Sequence, residues 1–182
     1  MNYKNITIIL FAVAALLQWM VPANMIFKSN KVIDMGKTFR FKVQPVDPAH
    51  PFAGRYMALR FTEDRTPAKP DLKIEHGTGL YAEIVTKDNQ YAGIRDVSLL
   101  PFTQTRDYIK ITVKYHDPDY IYIEYPFERW YMKESKAIDA EKRLNAMLQD
   151  STSTVYAEVK ILNGSAVLQD VIVNNQSISS WK

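Results

Sequence analysis

Two side chains that could cooperate in proton transfer lie in the stretch PVDPAHPFAGRYMALRF, residues 45–61. A histidine such as His50 can act as a general base when a carboxylate such as Asp47 fixes its orientation. The stretch offers no evident nucleophile, and Asp47 also suits a turn that it closes through its own backbone. A hydrolytic or ligand-modifying enzyme using Asp47, His50 and Glu134 is therefore an alternative hypothesis, and we expect no catalytic residue.

The other candidate sites for metals and cofactors are weaker. His50, His76 and His116 have no metal-type spacing to one another. The run His116-Asp117-Pro118-Asp119 contains the residues that a solvated hairpin turn requires. Gly77-Thr78-Gly79 lacks the third glycine and the following helix of a dinucleotide loop. We therefore expect neither a metal nor a cofactor.

Composition excludes several classes of protein. The chain has 182 residues, enough for one domain of ordinary size, and no cysteine. It therefore cannot use disulfides, thiol nucleophiles, cysteine zinc sites or a lipid-modified cysteine. The net charge is only +3 and the basic residues are scattered. Nucleic-acid-binding proteins concentrate them on one face, so we expect no nucleic acid partner.

The element that must position Asp47 and His50 is an unusually stiff loop. Pro45, Pro48 and Pro51 push the residues before them toward extended geometry and remove three backbone donors. Gly54 allows a reversal or a close approach of two backbones. Such a loop loses little entropy on binding, but the same stiffness also stabilises a fold without any partner. Beyond it, alternation places Tyr56, Ala58 and Arg60 on one face of a strand and Met57, Leu59 and Phe61 on the other.

The N-terminal segment predicts a membrane anchor. Residues 6–27, which begin with Ile6 and end with Phe27, are almost all apolar and meet the length of about 20 residues that a spanning helix needs. Pro22 is expected to kink or end this helix, and Trp19 suits the membrane interface. We assign residues 1–27 to the anchor, 28–36 to a juxtamembrane linker and 37–182 to a β-rich domain.

Two alternatives to an anchor remain open. Lys4 and the apolar run could form a cleaved signal peptide, which would release a secreted binding protein, although no small-x-small cleavage site follows. The run could also be a buried helix of a soluble fold. The flank with Lys28, Lys31 and further basic residues favours a cytoplasmic domain. A short N-terminal tail with one lysine is typical of an export signal, so we predict a domain outside the cytoplasm.

Alternation of apolar and polar residues predicts strands over 38–43, 56–61, 80–85 and 91–100. A loop is expected around Pro67 and Pro70. Residues 108–126 predict a hairpin in which Tyr115 lies opposite Ile121 and Val113 opposite Ile123. Its turn is Asp117-Pro118-Asp119-Tyr120.

The C-terminal third predicts one helix and a second hairpin. Residues 136–149 carry an apolar stripe, with Ser135 as the N-cap. Residues 155–162 and 166–173 flank Asn163-Gly164, the strongest short-range signal of a hairpin. The predicted fold class is therefore α+β: an N-terminal transmembrane helix, then a β-rich antiparallel domain with one packed helix.

The stretch PVDPAHPFAGRYMALRF, residues 45–61, resembles the signature of a known family, and the residues that match it are Pro45, Val46, Asp47, Pro48, Pro51, Phe52, Gly54, Tyr56 and Leu59. A second stretch, Arg129-Trp130-Tyr131-Met132-Lys133-Glu134 followed by Ala140-Glu141, is similar to a second region of that family, and the closing hairpin around Gly164 also fits. The family is the GDYXXLXY proteins, membrane-anchored bacterial proteins named for the motif Gly-Asp-Tyr-x-x-Leu-x-Tyr. The resemblance covers nearly the whole chain.

The resemblance implies location and partners rather than an activity. The family has no established activity, and some members occur alongside multi-spanning membrane proteins, which suggests an accessory or binding module at the inner membrane. Two departures bear on this: Arg55 replaces the aspartate of the motif, and Phe61 replaces its last tyrosine. We expect a binding surface formed by residues 47–56 and 129–134. Its candidate residues are Asp47, His50, Gly54, Arg55, Tyr56, Arg129 and Glu134.

Overall fold

The structure is a computed structural model, and it describes residues 3–44, 56–70, 72–87, 90–131, 144, 146–148, 150 and 153–180. One long helix leads into a domain built from two five-stranded antiparallel sheets and a two-stranded ribbon. This arrangement confirms the predicted α+β class, whereas the division into two sheets was not predicted.

Helix α1 (Tyr3–Met35) is continuous through Pro22. The expectation that Pro22 would end the helix is wrong, because losing one hydrogen bond does not interrupt a long helix whose flanking residues keep theirs. The predicted linker, residues 28–36, is likewise helical up to Met35. Residues Leu10–Met35 are long and apolar enough to cross a membrane, judged by length and composition.

Gly36 joins α1 directly to the first strand. Its N–H donates to the carbonyl of Val32 at 2.8 Å, which closes the last helical turn. A Cβ at Gly36 would lie 2.3 Å from the Val32 carbonyl oxygen and 3.0 Å from that of Ile161. Lys160 donates to the Gly36 carbonyl at 3.2 Å. Since both close neighbours are backbone atoms, only glycine fits, and the helix leaves the domain at a fixed point.

The described residues of the domain form twelve strands. The strands are β1 (Lys37–Gln44), β2 (Tyr56–Ala58), β3 (Arg60–Phe61), β4 (Arg65–Pro67), β5 (Gly79–Thr86), β6 (Ala92–Ser98), β7 (Tyr108–His116), β8 (Tyr120–Glu124), β9 (Arg129–Tyr131), β10 (Val155–Leu162), β11 (Ser165–Val173) and β12 (Gln176–Ser177). The first sheet has the order β12-β11-β10-β1-β3, the second has the order β4-β8-β7-β5-β6, and β2 pairs only with β9 among the described residues.

The two larger sheets enclose one hydrophobic core. Phe39, Phe41 and Val43 of β1 are buried, as the alternation predicted, and they join the same cluster as Leu80 of β5 and Ile111 of β7. The predicted strands over 80–85 and 91–100 correspond to β5 and β6. The alternating pattern therefore identified the core-facing side chains before any pairing was known.

The strand predicted over 56–61 is divided at Leu59. Its first part, β2, pairs with β9, and its second part, β3, pairs with the end of β1. Leu59 lies between them and donates its N–H to the carbonyl of Glu128 at 2.8 Å. Met57, Leu59 and Phe61 are all buried, so the division changes the pairing but not the predicted faces.

The hairpin of β7 and β8 departs from the predicted register. Val113 lies opposite Ile123 as expected, but Tyr115 lies opposite Tyr122 instead of Ile121. Lys114 is the extra residue of a β-bulge, which turns Tyr115 to the outer face. The turn forms where predicted, because the Asp117 carboxylate accepts the N–H groups of residues 119 and 120 at 2.9 and 2.6 Å.

The predicted C-terminal hairpin is present. The Asn163-Gly164 turn joins β10 to β11, with φ of 48° and 82°, which confirms that hairpin. Of the predicted second helix, Leu144 is helical and buried, while Ser135 and residues 136–143 lie outside the described residues. The loop predicted around Pro67 instead contains β4, an edge strand, which is where a sheet tolerates proline.

Candidate functional site

Most of the residues predicted for the binding surface lie outside the described residues. These are Asp47, His50, Gly54, Arg55 and Glu134. The alternative catalytic set, Asp47, His50 and Glu134, lies entirely outside the described residues. Tyr56 and Arg129 are described in their backbone positions, at the first residues of β2 and β9.

Strands β2 and β9 bring the two family regions together. Tyr56 lies opposite Tyr131, Met57 opposite Trp130 and Ala58 opposite Arg129. This antiparallel ribbon joins segments that are more than seventy positions apart in the chain. Of the expected surface, residues 47–56 and 129–134, the structure describes Tyr56 and residues 129–131, and that surface stays a prediction.

A polar groove of about 350 Å³ lies beside the ribbon. One wall is formed by residues 56–61, called the motif strand below, through Ala58 and Arg60, the exposed residues of its outer face. The bulge in β7 and the residue that precedes β9 form the other wall. The groove is lined by Ala58, Leu59, Arg60, Phe61, Asp64, Lys114, Tyr115, Tyr122, Ile123 and Glu128.

An ion pair joins the two parts of the second wall, the β7 bulge and the residue before β9. The Lys114 ammonium lies 3.2 Å from Oε2 of Glu128. Oε1 of Glu128 accepts the backbone N–H of Tyr125 at 3.0 Å, which holds the carboxylate against its own turn. Both side chains are partly exposed, so the pair contributes mainly geometry rather than stability.

An aromatic and cationic array continues the groove along β8. The rings of Tyr115 and Tyr122 stack with centroids 4.2 Å apart. The Arg65 guanidinium lies 4.6 Å from the centroid of the Tyr120 ring and 3.4 Å from the Tyr122 hydroxyl. The hydrogen bond that Arg65 donates to the Tyr122 hydroxyl raises the pKa of Arg65, and desolvation raises the pKa of Tyr115. Arg65 and Tyr115 therefore keep their protonated forms at neutral pH.

The groove has a rigid aromatic floor. Phe61 packs edge to face against Phe41, Tyr125 and Phe127, at centroid distances of 5.7, 5.5 and 5.4 Å. The Tyr125 hydroxyl donates to the carbonyl of Glu63, and burial raises its pKa well above the ordinary value of 10. Tyr125 therefore acts as a structural donor and does not exchange protons in the neutral range.

The chemistry of the groove suits binding. Its described lining includes a guanidinium, an ammonium, two carboxylates and two phenol rings, and among the described lining residues there is no histidine, serine or threonine. Within the described part of the chain, no three histidine, aspartate or glutamate residues are placed to hold a metal ion. The described groups can therefore bind a polar or aromatic partner, but they do not include a nucleophile with its base.

Sequence reasoning missed several residues of the groove. Arg60 was assigned to the outer face by alternation, and it lies there. Lys114, Tyr115 and Glu128 were not selected. No local signal marks the bulge at Lys114, because strict alternation continues through it in the sequence.

Comparison with known proteins agrees with this layout. The family model described as GDYXXLXY protein matches residues 18–171, most of the chain, which includes both strands of the ribbon and the closing hairpin. No curated protein and no solved structure matches the chain. The match over residues 18–171 shows that the chain belongs to the GDYXXLXY family.

Proposed function

We propose that this protein is a non-catalytic accessory module, anchored in the membrane by α1, whose domain binds a multi-spanning membrane protein through the groove and the β2–β9 ribbon. The observation that carries the proposal is the pairing of β2 with β9 beside the groove. Both strands come from regions that resemble the family signature, and Ala58, Arg129 and Tyr131 on them are exposed.

The apolar helix supports the anchor. Phe11, Trp19 and Phe27 are each more than 70% exposed, at 75, 76 and 72%. A helix that is apolar on all sides requires an apolar environment around it, which a bilayer supplies. The proposed orientation places the domain outside the cytoplasm at the inner membrane. Lys4 just before the apolar run, an arrangement typical of an export signal, favours this orientation, whereas the basic residues after the run oppose it.

Two measurements test the anchor and its orientation. Full-length protein is expected in the membrane pellet after alkaline carbonate extraction of broken cells, and recovery in the aqueous fraction would refute the anchor. The intact mass of the native protein should include residues 1–25, whereas cleavage of a signal peptide would remove them. A reporter fused to the C-terminus and active only outside the cytoplasm should give signal, whereas activity of a cytoplasmic reporter would reverse the orientation.

The groups in the groove define what the partner presents. Arg60 is exposed and suits a carboxylate or a carbonyl of the partner segment. Tyr115 is 56% exposed and stacked on Tyr122, so it offers a preordered aromatic surface with little entropy left to lose. Exposed aromatic and arginine side chains are the types that dominate binding energy in protein interfaces.

Site-specific photo-crosslinking tests the partner surface in intact membranes. A crosslinking amino acid at position 60 or 115 should attach to a multi-spanning membrane protein, whereas the same probe at Lys73, an exposed position outside the groove, should not. Recovery of the partner by co-purification in mild detergent should then fall with Arg60→Glu and Tyr115→Ala and stay unchanged with the matched control Lys73→Glu. Arg55→Asp and Tyr56→Ala, at the ribbon end of the proposed surface, should also change this recovery. Equal crosslinking at all three positions would contradict the proposed surface.

A further inference from the structure

A second groove lies where α1 meets the domain. It has a volume of about 420 Å³ and lies between the last turns of α1, the middle of β7 and the beginning of β11. The groove is distinct from the one beside the ribbon, since the two share no lining residue. Its helix side includes Met25 and Lys28, and its domain side includes Lys110, Thr112 and Ser165.

The groove has two cationic side chains without an acidic partner. Lys28 and Lys110 are exposed, and neither side chain forms an ion pair or hydrogen bond with a described residue. By contrast, Lys37, the first residue of β1, is paired with Asp107 at 3.2 Å. Glu124 lies opposite Thr112 on β8 but does not line the groove. The groove therefore presents uncompensated positive charge with hydroxyl groups beside it.

The groove also lies at a particular depth along the helix. If residues 6–27 occupy the hydrocarbon core, Met25 is at its boundary and Lys28 is just outside it. With a rise of 1.5 Å per residue, residues 28–32 cover about 8 Å beyond the core, which is the thickness of one headgroup layer. An apolar residue at the boundary followed by lysines at headgroup depth matches the polarity gradient of a phospholipid.

We propose that this groove binds the headgroup of an anionic phospholipid of the surrounding membrane. The phosphate lies between Lys28 and Lys110, and the hydroxyls of Thr112 and Ser165 accept or donate hydrogen bonds to the glycerol of the headgroup. The acyl chains extend past Met25 along the exposed apolar face of α1. A lipid held in this way fixes the domain against the membrane surface. The inference rests on the anchoring part of the proposed function and not on the partner surface.

Lipid retention by the full-length protein tests the inference. The protein is inserted into nanodiscs of equal parts phosphatidylglycerol and phosphatidylcholine, released, and examined by native mass spectrometry for bound lipid. Wild type should retain phosphatidylglycerol in preference to phosphatidylcholine. Lys28→Gln and Lys110→Gln should each lower that preference about fivefold, as expected for one lysine near an anionic surface.

Two further variants separate a specific groove from general attraction to an anionic surface. Lys31→Gln removes the same charge from the same helix, at a position that does not line the groove, and should leave the preference unchanged. Thr112→Phe keeps every charge but fills the groove, and it should lower the preference as much as Lys110→Gln. An equal effect of Lys28→Gln and Lys31→Gln, or no effect of Thr112→Phe, would overturn the proposal.

A competition arm distinguishes lipid from free phosphate compounds. Glycerol 3-phosphate at millimolar concentration should not displace phosphatidylglycerol, and displacement would show a site for soluble phosphate instead. Wild-type protein that inserts into nanodiscs but retains the two lipids equally would overturn only the lipid site. Failure to insert overturns both this inference and the anchor, while the crosslinking result at positions 60 and 115 concerns the partner surface alone.

Discussion

Glu128 holds the motif strand and the β7 bulge together. Its Oε2 lies 3.2 Å from the Lys114 ammonium, and its backbone carbonyl accepts the N–H of Leu59 at 2.8 Å. The same carboxylate accepts the Tyr125 N–H through Oε1 at 3.0 Å. Glu128 thus connects three features: Leu59, where the motif strand changes its pairing partner; Lys114, the extra residue of the bulge; and the turn that begins at Tyr125.

Glu128→Ala should lower the free energy of unfolding by about 1–3 kcal/mol, because it leaves the Tyr125 N–H without its acceptor. Glu128→Gln should cost less, since the amide oxygen can still accept that bond and the exposed ion pair contributes little. Urea unfolding of full-length protein in mild detergent measures both. Glu124→Ala, at an exposed position of β8, is the control and should change stability by no more than about 0.5 kcal/mol.

Phe61→Ala should destabilise the protein by about 3–5 kcal/mol, because it opens a cavity among three aromatic rings. The same unfolding measurement provides the test. Phe102→Ala is the matched control, since Phe102 is only half-buried and contacts Tyr108 at a centroid distance of 5.9 Å. Similar losses for the two variants would mean that the aromatic floor is not a special part of the core.

Gly164→Ala should cost more than Gly77→Ala. Both glycines have φ of 82°, so both variants experience the same left-handed backbone strain, about 1–2 kcal/mol. A Cβ at Gly164 also lies 3.1 Å from Cε2 of Tyr108, while a Cβ at Gly77 meets nothing within 4 Å. The difference in unfolding free energy between the variants measures how tightly the hairpin tip packs on β7.

Gly36→Ala should disturb the junction between α1 and β1. The new methyl group would meet two backbone carbonyls, which cannot move aside as a side chain can, and we expect a loss of about 1–3 kcal/mol or more. Gly79→Ala is the control, because its Cβ meets only the flexible end of Lys110 at 3.1 Å. Limited proteolysis at residues 34–38 should accelerate only in the Gly36 variant. Equal cleavage of both variants would contradict a tight junction.

Asp96 should make stability depend on acid pH. The hydrogen bond from Lys69 and the Val97 N–H, which donates at 2.8 Å, lower the pKa of its carboxyl below the ordinary value. The ionised Asp96 carboxylate therefore stabilises the folded state. This contribution is complete above the pKa of the carboxyl in the unfolded chain, about 3.9, and is lost as the pH falls through its lower pKa in the folded protein.

Asp96→Asn should therefore be less stable than wild type at pH 7, and the difference should shrink below about pH 4. Urea midpoints of the full-length protein measured between pH 2 and 7 give the two curves. Glu75→Gln, at an exposed carboxyl with no side-chain bond to a described residue, should follow the wild-type curve at every pH. A constant difference between Asp96→Asn and wild type would refute the linkage.

The sequence alone determined the features that depend on near neighbours in the chain. Alternation assigned Phe39, Phe41 and Val43 to the core, and Asn163-Gly164 specified its hairpin, because side-chain period and turn geometry are local properties. The uninterrupted apolar run likewise indicated a long N-terminal helix, and the motif residues indicated the family.

Only the tertiary structure decided how distant segments meet. The pairing of β2 with β9, the change of partner at Leu59 and the bulge at Lys114 have no local signature. Each arises because the two sheets must bury one shared core, and a strand adopts whichever partner and register completes that burial. Both grooves lie where such non-local contacts meet, so the sequence could indicate the motif strand but not the walls that face it.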